Sequence, residues 1–480
     1  MESMLDVSAM ELSRAIRTRT ISIPEVVRTH VEHIESVNPK LNAVIATRYE
    51  AAMREAEEAQ ALLMRTDDPS TLPPLLGLPY TAKEYIEAEG MPISAGIWAR
   101  RNVRAERDAT IVRRLREAGA ILVGITNVPE GGLWLETYNT IHGRTVNPWN
   151  ERRTAGGSSG GEGAIVAAGG VAFGLGADVG GSIRIPAAFC GTVGHKPTGC
   201  LVPNTGFWPP AAGKPLSKYL VCGPLCRRVE DVMPVMRALA GPDGIDTVVR
   251  DDLSLDDGPQ DLEGVTVHPV TALGRIFIHG INKDTVHRCA EALGDQGARV
   301  EPVDLPRLKK AFPIWAAMMA TGGGPDYAEI LGNGTPLSTG RELARMLARR
   351  SKHTFPAVVI AGAERLANKL PGQLDAAIAD GERLQAEIED LLGPRGVLLV
   401  PPYSRPAPRH GSPMLTPFDF VCTGIFNVLE LPSTVVPVGF DADGLPLSVQ
   451  VVGRRGADGL TTAVAAALED AFGGWRRPPL

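Results

Sequence analysis

Apolar residues recur along the chain with two different periods, and the alternation between them predicts its elements. From Ser8 to Ala43, Leu12, Ile16, Val26, Val27, Val31 and Ile34 fall at helical intervals. They predict two opening helices, with Ser22 or Pro24 able to start the second. Glu50 to Arg65, rich in Ala and Glu, predicts a third helix, and Asp67 to Pro74 a surface loop. Asp108 to Asn127 is a clear helix–strand unit: Ile111, Val112 and Leu115 form a helix face, Gly119 ends it, and Ala120 to Ile125 is a buried strand. Strand patterns return at Val397–Val400, Ser433–Val438 and Leu447–Val452, and an Ala-rich helix from Leu460 to Phe472 closes the chain. Strands interleaved with helices predict a layered α/β core.

Between about 245 and 400 the pattern changes to charged, helical stretches such as Thr339–Arg350 and Pro371–Leu392, with turns at Gly322-Gly-Gly and Gly332-Asn-Gly. This region reads as a variable cap over a site. Composition narrows the function. With 44% hydrophobic and 22% charged residues in 480, the chain can bury a sizeable core. A net charge of −6 with no run of Lys and Arg excludes a nucleic-acid or anionic-membrane footprint. Six cysteines are sparse and lack paired metal spacing, so buried free thiols are expected and no metal or cofactor motif is found. Met1 to Ile16 lacks a basic start followed by an apolar run, and no stretch of about 20 apolar residues occurs, so neither a secretory signal nor a spanning helix is expected. A reducing, cytoplasmic setting follows as the expectation.

The chemistry is concentrated between Thr154 and Thr198. Two glycine clusters, Gly156-Gly157 with Gly160-Gly161 and then Gly180-Gly181, each sit against a serine. Glycine is needed where the backbone takes positive φ or approaches a ligand closely, so these clusters suggest backbone amides aimed beside hydroxyls, the makings of an oxyanion hole. A phosphate loop would carry Lys and a hydroxyl after the glycines, and Gly160-Gly-Glu places an acid there. Gly156-x-Ser158-x-Gly160 also matches a nucleophile elbow. An elbow serine follows an apolar strand, however, whereas Asn147-Pro-Trp-Asn-Glu-Arg-Arg is turn-rich and charged, and His195, His353 and His410 lie in no catalytic setting. A flexible linker would not flank so apolar an Ala/Val run.

Gly-Gly-Ser-Ser-Gly-Gly at Gly156–Gly161, an Ala-rich helix and Gly-Gly-Ser-Ile-Arg-Ile-Pro at Gly180–Pro186, with Ser158 and Ser182 24 positions apart, resemble the amidase signature family. The resemblance implies an α/β fold with a large central mixed β-sheet, helices on both faces and a helical cap. It implies that Ser182 is the acyl-forming nucleophile, Ser158 a bridging serine on a cis peptide after Gly157, and Lys83 the base. Lys83 ends Gly77-Leu-Pro-Tyr-Thr-Ala-Lys, similar to the family's glycine-led strand. Val179, Gly180, Gly181 and Ser182 would supply oxyanion-hole amides, with Ser159, Asp178 and Arg184 in support. A lysine free in water is neutral in only about one molecule in 2,500 at pH 7, so such a base must be desolvated.

The resemblance runs to Gly444-Leu-Pro-Leu-Ser-Val-Gln-Val-Val-Gly and implies one domain over 1–480: N-terminal helices in 1–70, the catalytic core in 71–240, the cap in 245–395 and a return to the sheet in 396–480. Gly160-Gly-Glu-Gly-Ala, Lys83-Glu84, Thr145-Val-Asn-Pro-Trp and Ser351-Lys-His-Thr-Phe-Pro are closer to the fatty acid amide hydrolase branch. The implied activity is hydrolysis of small-molecule aryl or fatty acyl amides, with esters and carbamates also possible, by a monomer or homodimer. Gly131 and Gly132 are expected to open space in a pocket that Trp134, Phe312, Trp315, Met318, Met319, Phe418 and Ile425 could line. The rival within the same fold is the glutaminase subunit of a tRNA-dependent amidotransferase, which would need a charged pocket.

Overall fold

Strand-forming runs from both ends of the chain join a single sheet of 11 strands in the computed structural model, which describes residues 4–367 and 374–480. In chain order they are β1 (Val44–Thr47), β2 (Pro79–Lys83), β3 (Ile121–Thr126), β4 (Phe173–Asp178), β5 (Val193–Lys196), β6 (Val221–Cys226), β7 (Thr266–Pro269), β8 (Arg299–Val300), β9 (Gly396–Val400), β10 (Ser433–Phe440) and β11 (Pro446–Val452). Their order across the sheet is β1-β3-β2-β4-β6-β5-β10-β11-β9-β7-β8. β2 runs parallel to both β3 and β4, while β4, β6, β5, β10, β11 and β9 pair antiparallel in turn, so the sheet is mixed. Every residue of β2, β3, β4, β5, β6 and β9 is buried. That is why these strands read as apolar runs: helices cover both faces.

Three helices lead in: α1 (Ala9–Arg17), α2 (Ile23–Leu41) and α3 (Tyr49–Arg65). Ser8 caps α1 in a capping box with Glu11, and Ser22 caps α2 with Pro24 in its first turn. The helix–strand unit is α4 (Thr110–Glu117) followed by β3, and Gly119 between them takes φ +87°. α5 (Gly160–Ala167), buried on every side, and α6 (Arg184–Cys190) follow the two glycine clusters.

The region expected to be a helical cap divides. Its first part is β7, the helix Gly280–Asp295 and β8, which complete the far edge of the sheet. These two strands have four and two residues, too few for a period to show, and the residues of β8 are exposed. Only their parallel pairing identifies them. The helices Ala311–Ala320 and Leu374–Leu392 pack with Val421–Val428 around a second apolar cluster that includes Ile314, Leu384 and Phe426. The expected helical start at Pro371 lies outside the described residues. All six cysteines are buried and free, and among the described residues no helix is long and apolar enough to cross a membrane.

Ser8→Ala removes the acceptor for the Glu11 amide and should lower stability by about 1 kcal/mol. A fall in the urea midpoint with an unchanged slope would show it.

Candidate active site

Lys83 is the last residue of β2, and only 3% of its surface is exposed. Its Nζ donates to Ser158 Oγ at 2.8 Å and to the Ala177 carbonyl at 3.1 Å, and it stands 5.0 Å from the centre of the Tyr85 ring. Burial pushes the amine down to about 7, against the opposing pull of Asp178, Cys222 and Glu162.

Ser158 follows a cis peptide to Gly157. At Gly157 any side chain is excluded, since a Cβ would lie 2.2 Å from the carbonyl oxygen of Trp134. The next residue joins this loop to the second one: the Ser159 amide donates to the Ser182 carbonyl at 3.1 Å, and Ser159 Oγ donates to the Ala177 carbonyl at 3.3 Å. That carbonyl is the one Lys83 also uses. From 154 to 204 every residue is buried except Val179, Gly180 and Ser182, which are partly exposed. The site therefore opens at Ser182, with Lys83 and Ser158 behind it.

The loop carrying Ser182 is folded around Asp178. The Asp178 carboxylate accepts the amides of Gly181 at 2.7 Å and Ile183 at 3.0 Å, and pairs with the Arg184 guanidinium at 3.0 and 3.1 Å. Burial opposes its ionisation, but Arg184 and these amides outweigh burial and hold it well below the usual carboxylate range. The Gly181 amide is thus committed to Asp178, whereas those of Val179, Gly180 and Ser182 meet no acceptor among the described residues. Arg184 is itself fully buried and donates further to the Thr423 carbonyl at 3.0 Å, Gln450 Oε1 at 3.3 Å and Asn427 Oδ1 at 2.5 Å. Asn427 closes the circuit by donating to the Asp178 carbonyl and carboxylate at 3.0 and 2.9 Å.

Thr423, Asn427 and Gln450 were not singled out by sequence reasoning. Gln450 had a signal: it is the one large polar residue in the apolar run of the C-terminal strand motif. The three histidines weighed for an elbow serine are placed elsewhere. His195 pairs with Thr434 and Asp458, His353 with Glu130 and His410 with Glu136.

The wall loop differs from expectation. Gly131 and Gly132 open no space, because a Cβ at the first would lie 2.6 Å from the Tyr327 ring and at the second 2.6 Å from Tyr85 Oη. Two tyrosines fill the room the glycines leave. Glu130 pins the same loop to the segment Ser351-Lys-His-Thr-Phe-Pro, its carboxylate meeting His353 Nδ1 and the Thr354 amide at 2.6 Å each. Trp134 is half-buried, with its carbonyl against Gly157.

Of the other pocket candidates, Trp315 reaches the site, donating from Nε1 to the Val179 carbonyl at 3.2 Å. Phe420, which the sequence reading missed, packs 4.7 Å from Trp315, and a Cβ at Gly180 would lie 3.3 Å from its ring. Phe418 is half-exposed and joins this cluster through Phe312 at 4.5 Å. Met318 and Ile425 are buried within the second apolar cluster, against which Trp315 and Phe420 also pack. The helix Ala311–Ala320 presents Trp315 to the site, while Met318, one turn further on, packs on the helix Leu374–Leu392 at Gly381.

The amidase family model matches residues 25–461. The chain is 39% identical to fatty-acid amide hydrolase 2-A of Danio rerio over 99% of this chain and 90% of that one. It is 29% identical to an acylamidase of Rhodococcus erythropolis over 96% of this chain and 94% of that one. Its structure is similar to that of a bacterial aryl acylamidase of the amidase signature enzymes, with a TM-score of 0.81 at 27% identity, covering 98% of this chain and 97% of that one.

Arg184→Met should cost about 3 to 5 kcal/mol, because it leaves the Asp178 carboxylate buried without its counter-ion. The double variant Asp178→Asn/Arg184→Met should recover part of that loss in thermal unfolding.

Proposed function

The chain belongs to the amidase family and hydrolyses carboxylic amide C–N bonds, and from this premise we propose that it does so through an acyl-enzyme on Ser182, with Ser158 and Lys83 as the proton relay. The observation that carries the reading is the 2.8 Å hydrogen bond from a buried lysine to Ser158, on a loop laced to Ser182 through the Ser159 amide. Neutral Lys83 takes a proton by way of Ser158 as Ser182 Oγ attacks the carbonyl. The negative oxygen that develops is met by the free amides of Val179, Gly180 and Ser182, with Gly181 held in place behind them by Asp178. The relay returns the proton to the departing nitrogen, which would otherwise leave as an amide anion. Water then releases the acid from Ser182.

The substrates are small-molecule amides with an apolar group beside the scissile bond. Phe312, Trp315, Phe418 and Phe420 form an aromatic rim against the Val179–Gly180 backbone, suited to aryl or fatty acyl groups, and esters and carbamates are chemically within reach. A glutaminase role would need charged side chains at that rim to hold the glutamine head group. We assign the enzyme to the cytoplasm, on the strength of its free thiols.

Ser182→Ala should abolish turnover with the fold intact, and Lys83→Ala should be nearly as severe; full activity in either variant overturns the assignment. Because Lys83 must lose a proton to act, kcat/KM should rise through about pH 7 and level off above it. Across purified-enzyme assays, aryl and fatty acyl amides should be cleaved far faster than glutamine, whereas turnover of glutamine alone would favour the rival.

A further inference from the structure

One buried carboxyl next to the relay has no part in the mechanism above. Glu162, in the first turn of α5, is fully buried. Its Oε2 accepts from Thr81 Oγ1 at 2.6 Å and its Oε1 from Thr126 Oγ1 at 2.8 Å. Both threonines are immediate neighbours of Lys83. Thr81 lies two residues earlier on β2, hence on the same face, and Thr126 is the residue of β3 in register with Lys83. The floor beneath the carboxyl is Gly174 of β4, in register with Thr81, where a Cβ would lie 2.2 Å from Glu162 Oε2. The sheet thus holds a niche for this carboxyl on the lysine's own face. Glu162 follows Ser158 by four positions, so the partner of Lys83 and this acid sit on the loop that enters α5 and on its first turn.

We propose that Glu162 is the positioning residue of the Lys83 base, an acid set beside the lysine on one face of the sheet so that its own proton governs whether Lys83 is neutral. The inference rests on reading Lys83 as the base. The other groups facing the amine do not titrate against it. Asp178 is neutralised by Arg184 at 3.0 Å. Burial pushes the Cys222 thiol of β6 and the Tyr85 hydroxyl upward, so both stay neutral. For Glu162, burial raises the affinity for its proton, against the two threonine donors and Lys83. When Glu162 holds its proton, its share of the negative charge facing Lys83 is removed and the amine gives up its proton more readily. When it is ionised, its charge favours the ammonium form of Lys83, so the amine keeps its proton to higher pH. The two groups therefore lose protons as a pair rather than one by one.

The test is the pH profile of kcat/KM. Glu162→Gln keeps the shape of the side chain but cannot ionise, so the rising limb should move toward acid by about one pH unit. At one unit below the wild-type midpoint, activity relative to the plateau should then rise about fivefold. Thr126→Val removes one donor that favours the carboxylate and should move the limb the same way by a smaller step, which keeps the idea testable should Glu162→Gln fail to fold. A merely structural role would lower the rate without moving the limb. A folded Glu162→Gln enzyme whose limb stays in place, or moves toward alkali, overturns the proposal. Lys83→Ala separates the two claims: if it remains active the base assignment itself fails, and if it is inactive while the Glu162→Gln limb is unmoved, only the role of Glu162 does.

Discussion

An amine that must be neutral near pH 7 has to be kept from water and from unbalanced negative charge, and the arrangement around Lys83 meets both conditions. Water is excluded by packing around β2, whose five residues are all buried, with Lys83 only 3% exposed. Negative charge is harder to exclude, since Asp178 is required to fold the loop that carries Ser182. Arg184 balances it, and the remaining guanidinium donors are satisfied by Thr423, Asn427 and Gln450. Those three come from the C-terminal end of the chain. The environment of a lysine on β2 is thus completed by the C-terminal return of the sheet, which explains why the site cannot be assigned to one segment.

The glycines of the two clusters act mainly through absence of volume. At Gly157 the Trp134 carbonyl sits where a side chain would be, and outside the clusters, at Gly174 of β4, the Glu162 carboxyl does the same. Gly181 differs, since it takes φ +112°, a conformation costly for other residues. Its amide is thereby turned to Asp178, and the amides on either side of it remain free.

Around the opening, apolar side chains are held by polar contacts with the loops that carry Ser158 and Ser182. Trp315 is anchored on the Val179 carbonyl, so a rim that would select an apolar substrate is tied to the backbone that would stabilise its transition state. On the other side, Glu130 binds the Trp134 loop to His353 and Thr354. The motif Ser351-Lys-His-Thr-Phe-Pro, noticed in the sequence without a role, is the partner of that wall.

Local sequence determined the elements that depend on neighbours a few residues away. Ser8 and Ser22 set the starts of α1 and α2, Gly119 separates α4 from β3, and the apolar runs near residues 397, 433 and 447 are strands as their composition demands. The spacing of the two serine clusters likewise identified the family and the candidate residues, because that chemistry is written in consecutive residues. Tertiary structure alone decided what depends on distant partners. It filled the space beside Gly131 and Gly132 with Tyr327 and Tyr85, buried Met318 and Ile425 behind Trp315 and Phe420 in the second apolar cluster, and paired the short strands β7 and β8. It also put Glu162 between the two threonines that flank Lys83. A one-dimensional pattern records whether a residue is apolar or charged; which side chain occupies a gap, and which charge faces which, is set when the sheet closes and brings residues 83, 162, 178, 184 and 450 together.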